Sequence, residues 1–159
     1  MRTWGWTPTA SGPDSLHDDA QGRDRVTEPL RALLRWVLAA GMVFAGVVHF
    51  VATDSFFGQL PSWVPARSGV IWVSGAVEIA LGLALALAPS DRRPAVGWAL
   101  AALFVLVFPA NVYQAVAGTS AFGLDTDAAR WVRLLFQPIL VVWALWSSGA
   151  WAAHRVRTS

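Results

Sequence analysis

The chain has 159 residues, enough for one domain, of which 55% are apolar and 14% charged, about half the charged fraction of an average soluble domain. Ten Trp residues and a mean hydropathy of +0.48 indicate a membrane protein and exclude a disordered chain, a collagen-like chain and an ordinary soluble enzyme. The absence of Cys excludes disulfide exchange and thiolate chemistry, and the net charge of +2 comes without the basic stripe that nucleic-acid binding requires.

Residues 1–29 differ in composition from the rest of the chain. They contain three Pro and five acidic residues but no apolar run, which predicts a disordered cytoplasmic tail and excludes a signal peptide. At the other end, residues 153–159 are expected to form a short basic cytoplasmic tail.

The region between these tails, residues 30–152, contains four long apolar segments. A bilayer core needs about 20 apolar residues per helix, and the four segments meet this requirement. The apolar residues surround each segment instead of alternating, which favours transmembrane helices over β-barrel strands. The sequence therefore predicts an all-α, four-helix integral membrane bundle, with helices at about 32–52, 68–88, 95–117 and 130–151.

The Arg residues predict how this bundle is oriented. With the N-terminus inside and the distant Arg2 left out, eight Arg lie on the inner side and three on the outer side. The inner residues are Arg23, Arg25, Arg31, Arg35, Arg92, Arg93, Arg155 and Arg157, and the outer ones are Arg67, Arg130 and Arg133. The positive-inside rule then places both termini in the cytoplasm.

The outer loop at 54–67 has its own pattern. Pro61 and Pro65 exclude a long helix there. Its aromatic residues are expected to lie in the membrane interface: Phe56, Phe57 and Trp63.

Polar side chains inside the predicted spans are informative because hydrocarbon penalises them. Each helix carries at least one, and the set is His49, Glu78, Asn111, Gln114, Arg133 and Gln137. At 1.5 Å per residue, Glu78 lies roughly 15 Å deep, near the midplane, and the others lie toward the outer side. We therefore predict a buried polar cluster that is a candidate ligand-binding site, with no catalytic residue assigned.

Two stripes of small residues accompany this cluster at spacings of i, i+4 and i+8. They are Gly41–Ala45–His49 and Ser74–Glu78–Gly82. Since small residues let helix backbones approach closely, both stripes are expected to be packing faces.

Several interpretations of these polar residues stay open. Glu78 could form a structural contact with Arg133, His49 or Gln137, or it could bind a ligand or move protons. A low-spin b-type haem needs two axial ligands, and His49 is the sole His in the predicted spans, so the pattern disfavours haem. His49 and Glu78 alone also fall short of a usual metal site.

Five short motifs in order resemble those of the DoxX-like family of small bacterial four-helix membrane proteins. They are Gly46–Phe50 (GVVHF), Pro61–Pro65 (PSWVP), Ser74–Glu78 (SGAVE), Phe108–Tyr113 (FPANVY) and Arg133–Gln137 (RLLFQ). The resemblance covers about 30–152. It departs at Leu135, where relatives often have Pro, and at Gln114, where Met is expected.

The resemblance implies a multi-pass protein of the bacterial cytoplasmic membrane. Some related proteins are associated with quinone-linked oxidoreductases, including thiosulfate oxidation. This implies a candidate role for the polar cluster in holding a quinone, with oxidoreductase subunits or a second copy of the chain as partners besides the lipid bilayer.

Three functions are therefore considered, and none requires a stand-alone enzyme. The first is a quinone-linked or accessory subunit of a membrane oxidoreductase complex. The second is a small-solute or proton permeation bundle, which would need an oligomer. The third is a structural membrane scaffold, in which the polar cluster only locks the helices together.

Overall fold

The computed structural model describes the backbone of residues 13–120 and 126–158, and the side chains of 27–120 and 126–154. The elements in chain order are α1 (Pro13–Val51), a 3₁₀ helix η1 (Thr53–Gln59), α2 (Arg67–Leu87), α3 (Arg93–Ala117), α4 (Asp127–Ser147) and α5 (Ala150–Thr158). The Thr27–Val51 part of α1, together with α2, α3 and α4, is long and apolar enough to cross a membrane. The predicted all-α class is thus confirmed for the described residues, and so is the prediction of four helices that are long and apolar enough to cross a membrane.

The helix bounds differ from the prediction at both ends of the chain. α1 begins at Pro13, so residues 13–29 are helical where a disordered tail was expected, and residues 1–12 lie outside the described part. Charge and Pro content exclude a membrane span, but they do not exclude a helix that has Pro in its first turn.

At the other end, α4 stops at Ser147 and does not reach 151. Gly149 follows in the left-handed region at φ 77°, which breaks the helix. The chain then resumes as α5 through Thr158, where the short tail 153–159 was expected.

The chain forms two units, Met1–Leu30 and Arg31–Ser159, and the packing described here lies within the second. Its apolar core takes side chains from all four long helices. Leu85 and Leu100 are fully buried there. Their neighbours in the core are Leu38, Ala39, Met42, Leu103, Phe104 and Ala144.

Helices α1 and α2 make a close contact through glycine. A Cβ atom added to Gly46 would lie 2.5 Å from the carbonyl oxygen of Gly75, and one added to Gly75 would lie 2.6 Å from the Cβ of His49. A Cβ on Gly82 would lie 2.9 Å from the carbonyl oxygen of Ala39. The two backbones therefore touch where small residues permit it.

This contact corrects the expectation for the Gly41–Ala45–His49 stripe. A Cβ atom on Gly41 would meet nothing within 4 Å. The close approach is made instead by Gly46, which at about 100° per residue lies about 140° away around the helix. Gly82 of the second stripe does pack closely, as expected.

The segment between α1 and α2 folds over one end of the bundle. As Pro61 and Pro65 predicted, it contains no long helix. Arg67 at the start of α2 donates hydrogen bonds to the carbonyl oxygens of Phe57 and Leu60. Thr119, just after α3, donates another to the carbonyl oxygen of Gly58, so η1 is fastened from two sides.

Candidate functional site

A cavity of about 650 Å³ lies between α1, η1, α2, α3 and α4. Its volume is within the range of small-molecule sites. Polar side chains gather at the end nearest η1. They are His49, Gln59, Glu78, Asn111, Arg133 and Gln137.

His49 and Glu78 face each other across the α1–α2 contact. The Nδ1 atom of His49 lies 3.5 Å from Oε2 of Glu78 and 2.8 Å from the carbonyl oxygen of Ala45. Since both neighbours of Nδ1 are acceptors, Nδ1 carries the proton in a neutral ring, and Nε2 is left for other contacts. The ring stacks on Phe56 with a centroid separation of 3.8 Å.

Arg133 joins three elements at this end of the cavity. Its Nη1 donates to Oε1 of Gln114 on α3 at 3.1 Å, and its Nη2 donates to Oε1 of Gln59 on η1 at 3.3 Å. Because both amide oxygens accept from Arg133, the amide nitrogens of Gln59 and Gln114 are turned away from it.

Several buried polar atoms around the cavity have no hydrogen-bond partner among the described residues. They are the donor Nε2 of Gln59 and the acceptors Oε2 of Glu78 and Oε1 of Gln137. Buried polar groups in native proteins are nearly always satisfied, so such a set requires an explanation. A ligand with both donor and acceptor character would satisfy it.

The structure brings five of the six predicted site residues to the cavity wall. Besides His49, Glu78 and Arg133, described above, Asn111 and Gln137 line it and are buried. Gln114 is also buried, at 1% exposure, and accepts a hydrogen bond from Arg133, but it does not line the cavity. Of the contacts considered for Glu78, the structure shows the one with His49.

Two residues of the site were not predicted. Gln59 and Phe56 lie on η1, which was expected to rest in the membrane interface. Both are buried against the polar end, whereas Trp63 is 80% exposed. The available signal for Gln59 was that it is the one amide side chain in the loop at 54–67. Nothing in the sequence separated Phe56 from its neighbour Phe57.

The other end of the cavity is apolar. It is lined by Leu38, Met42, Phe104, Val107, Leu140 and Trp143. Nε1 of Trp143 donates to the carbonyl oxygen of Leu34 at 3.0 Å, which ties α4 to α1 at this end.

One side of the cavity, between α1 and α4, is open. The lining residues there are exposed: Val37 by 48%, Phe44 by 72% and Phe136 by 48%. Among the side chains that the structure describes, those of 27–120 and 126–154, no three His, Asp or Glu converge as a metal site would require. The arrangement suits an amphipathic molecule with a polar head and an apolar remainder.

Comparison with known proteins gives one match. A family model described as "Domain of unknown function (DUF8561)" matches residues 38–148, a range that includes every polar residue of the cavity. No curated protein and no solved structure matches the chain.

Proposed function

The chain belongs to the DUF8561 family, and from this premise we propose that it is a membrane-embedded, quinone-binding accessory subunit of an oxidoreductase complex. The observation that carries the proposal is the cavity, polar at one end, apolar at the other, and set among four helices apolar enough to span a membrane. A quinone has the same division into a polar headgroup and an apolar chain.

The proposal includes insertion in a bacterial cytoplasmic membrane with both termini inside. The excess of Arg on the side of the termini supports this orientation. It places η1 and the polar end of the cavity toward the outer surface. The resemblance to DoxX-like proteins supports the same location and the link to quinones.

The unsatisfied polar atoms match the chemistry of a quinone headgroup. A quinone carbonyl accepts hydrogen bonds, and Nε2 of Gln59 is a buried donor without a partner. The reduced form carries hydroxyl groups, which would donate to the acceptors Glu78 and Gln137. Asn111 adds a further donor on the cavity wall.

The electrons would come from a partner protein. The predicted spans contain no Cys and a single His, so they offer few ligands for a redox cofactor. In this proposal the chain holds the headgroup, while Glu78 and His49 lie where protons can be passed to or from it.

The test is to purify the protein from its native membrane in mild detergent and to measure bound quinone by mass spectrometry. We expect quinone enrichment relative to the membrane lipid extract. Gln59→Leu and Glu78→Gln should each lower it about tenfold. The first removes a buried donor, and the second replaces one carboxylate oxygen, an acceptor, by an amide nitrogen, a donor. Asp91→Asn, at an exposed position between α2 and α3, is the control and should change nothing.

Lack of enrichment in the wild-type protein would overturn the proposal and favour a scaffold or permeation role. Equal quinone content in all variants would also contradict it, since bound quinone would then not lie in the cavity. An unfolding midpoint measured for each variant separates loss of the ligand from loss of the fold.

A further inference from the structure

The open side of the cavity depends on one glycine in the face of α1 that lines the cavity. The cavity-lining residues Val37, Gly41, Phe44 and Val48 recur every three or four positions, so they form one face of the helix. Gly41 lies in this face, and a Cβ atom there would meet nothing within 4 Å. Because Gly41 has no side chain, this face of α1 has a gap at Gly41, and a space is left beside the helix.

Gly41 lies well away from the polar end. It is eight residues before His49, which is about 12 Å along the helix. The lining at this level is apolar and includes Met42 and Leu140. A quinone headgroup hydrogen-bonded near Gln59 would not reach this region, but a chain attached to it would.

The far end and the open side determine where such a chain can go. The Trp143–Leu34 hydrogen bond ties α1 to α4 beyond the apolar end. Between these helices, Phe44 and Phe136 are exposed at positions within the two candidate spans. A chain that enters the apolar half therefore leaves sideways, between α1 and α4.

We propose that the ligand is a quinone with a hydrocarbon chain, that the chain passes Gly41 and leaves between α1 and α4 into the bilayer, and that Gly41 determines whether the chain is accepted. This inference rests on the proposed quinone site. It adds the route of entry from lipid and a residue that discriminates chain-bearing from chainless quinones.

The experiment measures binding to the protein in nanodiscs, with ligand given as a mole fraction of lipid. The probes are a chainless dimethoxy-methyl-benzoquinone and its decyl derivative. Gly41→Leu is the test variant, since leucine would occupy the space left by Gly41. Ala40→Leu is the matched control, because Ala40 is exposed, adjacent in sequence and not part of the cavity lining.

We expect Gly41→Leu to bind the decyl quinone about tenfold more weakly than the wild type does. The leucine side chain would occupy the space that the decyl chain fills in the wild-type complex. Binding of the chainless quinone should stay within about twofold. Ala40→Leu should alter neither. Since the comparison is between variants for one probe, partitioning of that probe into lipid cancels.

The outcomes separate this inference from the function on which it rests. If the wild type binds neither quinone, the proposed function itself fails. Suppose that the chainless quinone binds and that Glu78→Gln weakens its binding, as the proposed function expects. If Gly41→Leu then leaves decyl binding unchanged, or weakens both probes equally, the chain route is wrong. Should Gly41→Leu not fold, Val37→Trp narrows the same opening from an exposed position and is expected to give the same selective loss.

Discussion

The two faces of α1 are packed in opposite ways. Toward α2, Gly46 lies so close to Gly75 that no Cβ atom fits between them. Toward α4, Gly41 has open space, and the cavity lies beside it. The two glycines, five positions apart in one helix, therefore have different effects. Gly46 permits a close backbone contact with α2, whereas Gly41 leaves a space on the other face.

His49 lies where these two faces meet. Its Cβ is next to Gly75 on the tight face, while its ring lines the cavity. The close contact therefore fixes the height of His49 relative to Glu78, three residues beyond Gly75. The contact between α1 and α2 therefore positions His49 and Glu78, which line the cavity.

The largest effect is expected from Gly46→Ala. The added methyl group would overlap the carbonyl oxygen of Gly75 and the side chain of Ile79, so the helices must separate. Overpacking of this kind costs about 1–3 kcal/mol, and we expect the upper end because one overlapping atom belongs to the backbone. Unfolding by sodium dodecyl sulfate in mixed micelles, followed by circular dichroism, measures the change.

Gly41→Ala is the matched control for this variant. Its methyl group would meet nothing within 4 Å, and alanine favours a helix over glycine by up to about 1 kcal/mol. The protein should be unchanged or slightly more stable. Equal destabilisation by both substitutions would show that the two faces do not differ.

An intermediate effect is expected from Arg133→Met. The change removes the donor to Gln59 and Gln114 and leaves two buried amide oxygens without it. We expect a loss of about 1–2 kcal/mol, since hydrogen bonds inside membrane proteins average about 0.6 kcal/mol each and unsatisfied groups add a penalty.

Combining Arg133→Met with Gln59→Leu completes a double-mutant cycle for this contact. A coupling free energy near zero would mean that the Arg133–Gln59 contact does not hold η1 over the cavity. Arg92→Met, at an exposed position between α2 and α3, controls for loss of an Arg.

The smallest effect is expected from Trp143→Phe. It removes the hydrogen bond to the carbonyl oxygen of Leu34 and keeps an aromatic ring, so the cost should be about 0.6 kcal/mol. Trp131→Phe, on the exposed surface of α4, is the control. A larger loss for Trp131 than for Trp143 would contradict the assignment of this bond as the link between α1 and α4.

The fold was predictable from sequence because the requirement for long apolar segments is a strong constraint. The polar residues in those segments were equally visible, and five of them line one cavity. Gln59 was missed because loop residues carry no periodic pattern that gives their direction. The apolar half of the cavity was not predicted, because nothing in the spacing of Gly41 and Gly46 shows which glycine contacts a partner helix and which lies beside open space.

The extent of the helices was less predictable. The prediction of a tail at 1–29 used the same acidic and Pro-rich composition that α1 includes from Pro13 onward. Hydropathy indicates whether a segment can enter a membrane, but it does not indicate whether the segment forms a helix. At the C-terminal end, Gly149 was the signal for a break, since glycine readily adopts the positive φ found there.

The hydrogen bonds that hold η1 also set an order of assembly during synthesis. Arg67 reaches Leu60 across seven residues, whereas Thr119 reaches Gly58 across 61 and Arg133 reaches Gln59 across 74. The nascent chain can therefore fold η1 against the start of α2 long before α4 is made. A chain that stops short of α4 would carry His49 and Glu78 but lack the Arg133 guanidinium and one wall of the cavity. The proposed ligand site is therefore complete only once the last long helix has been made.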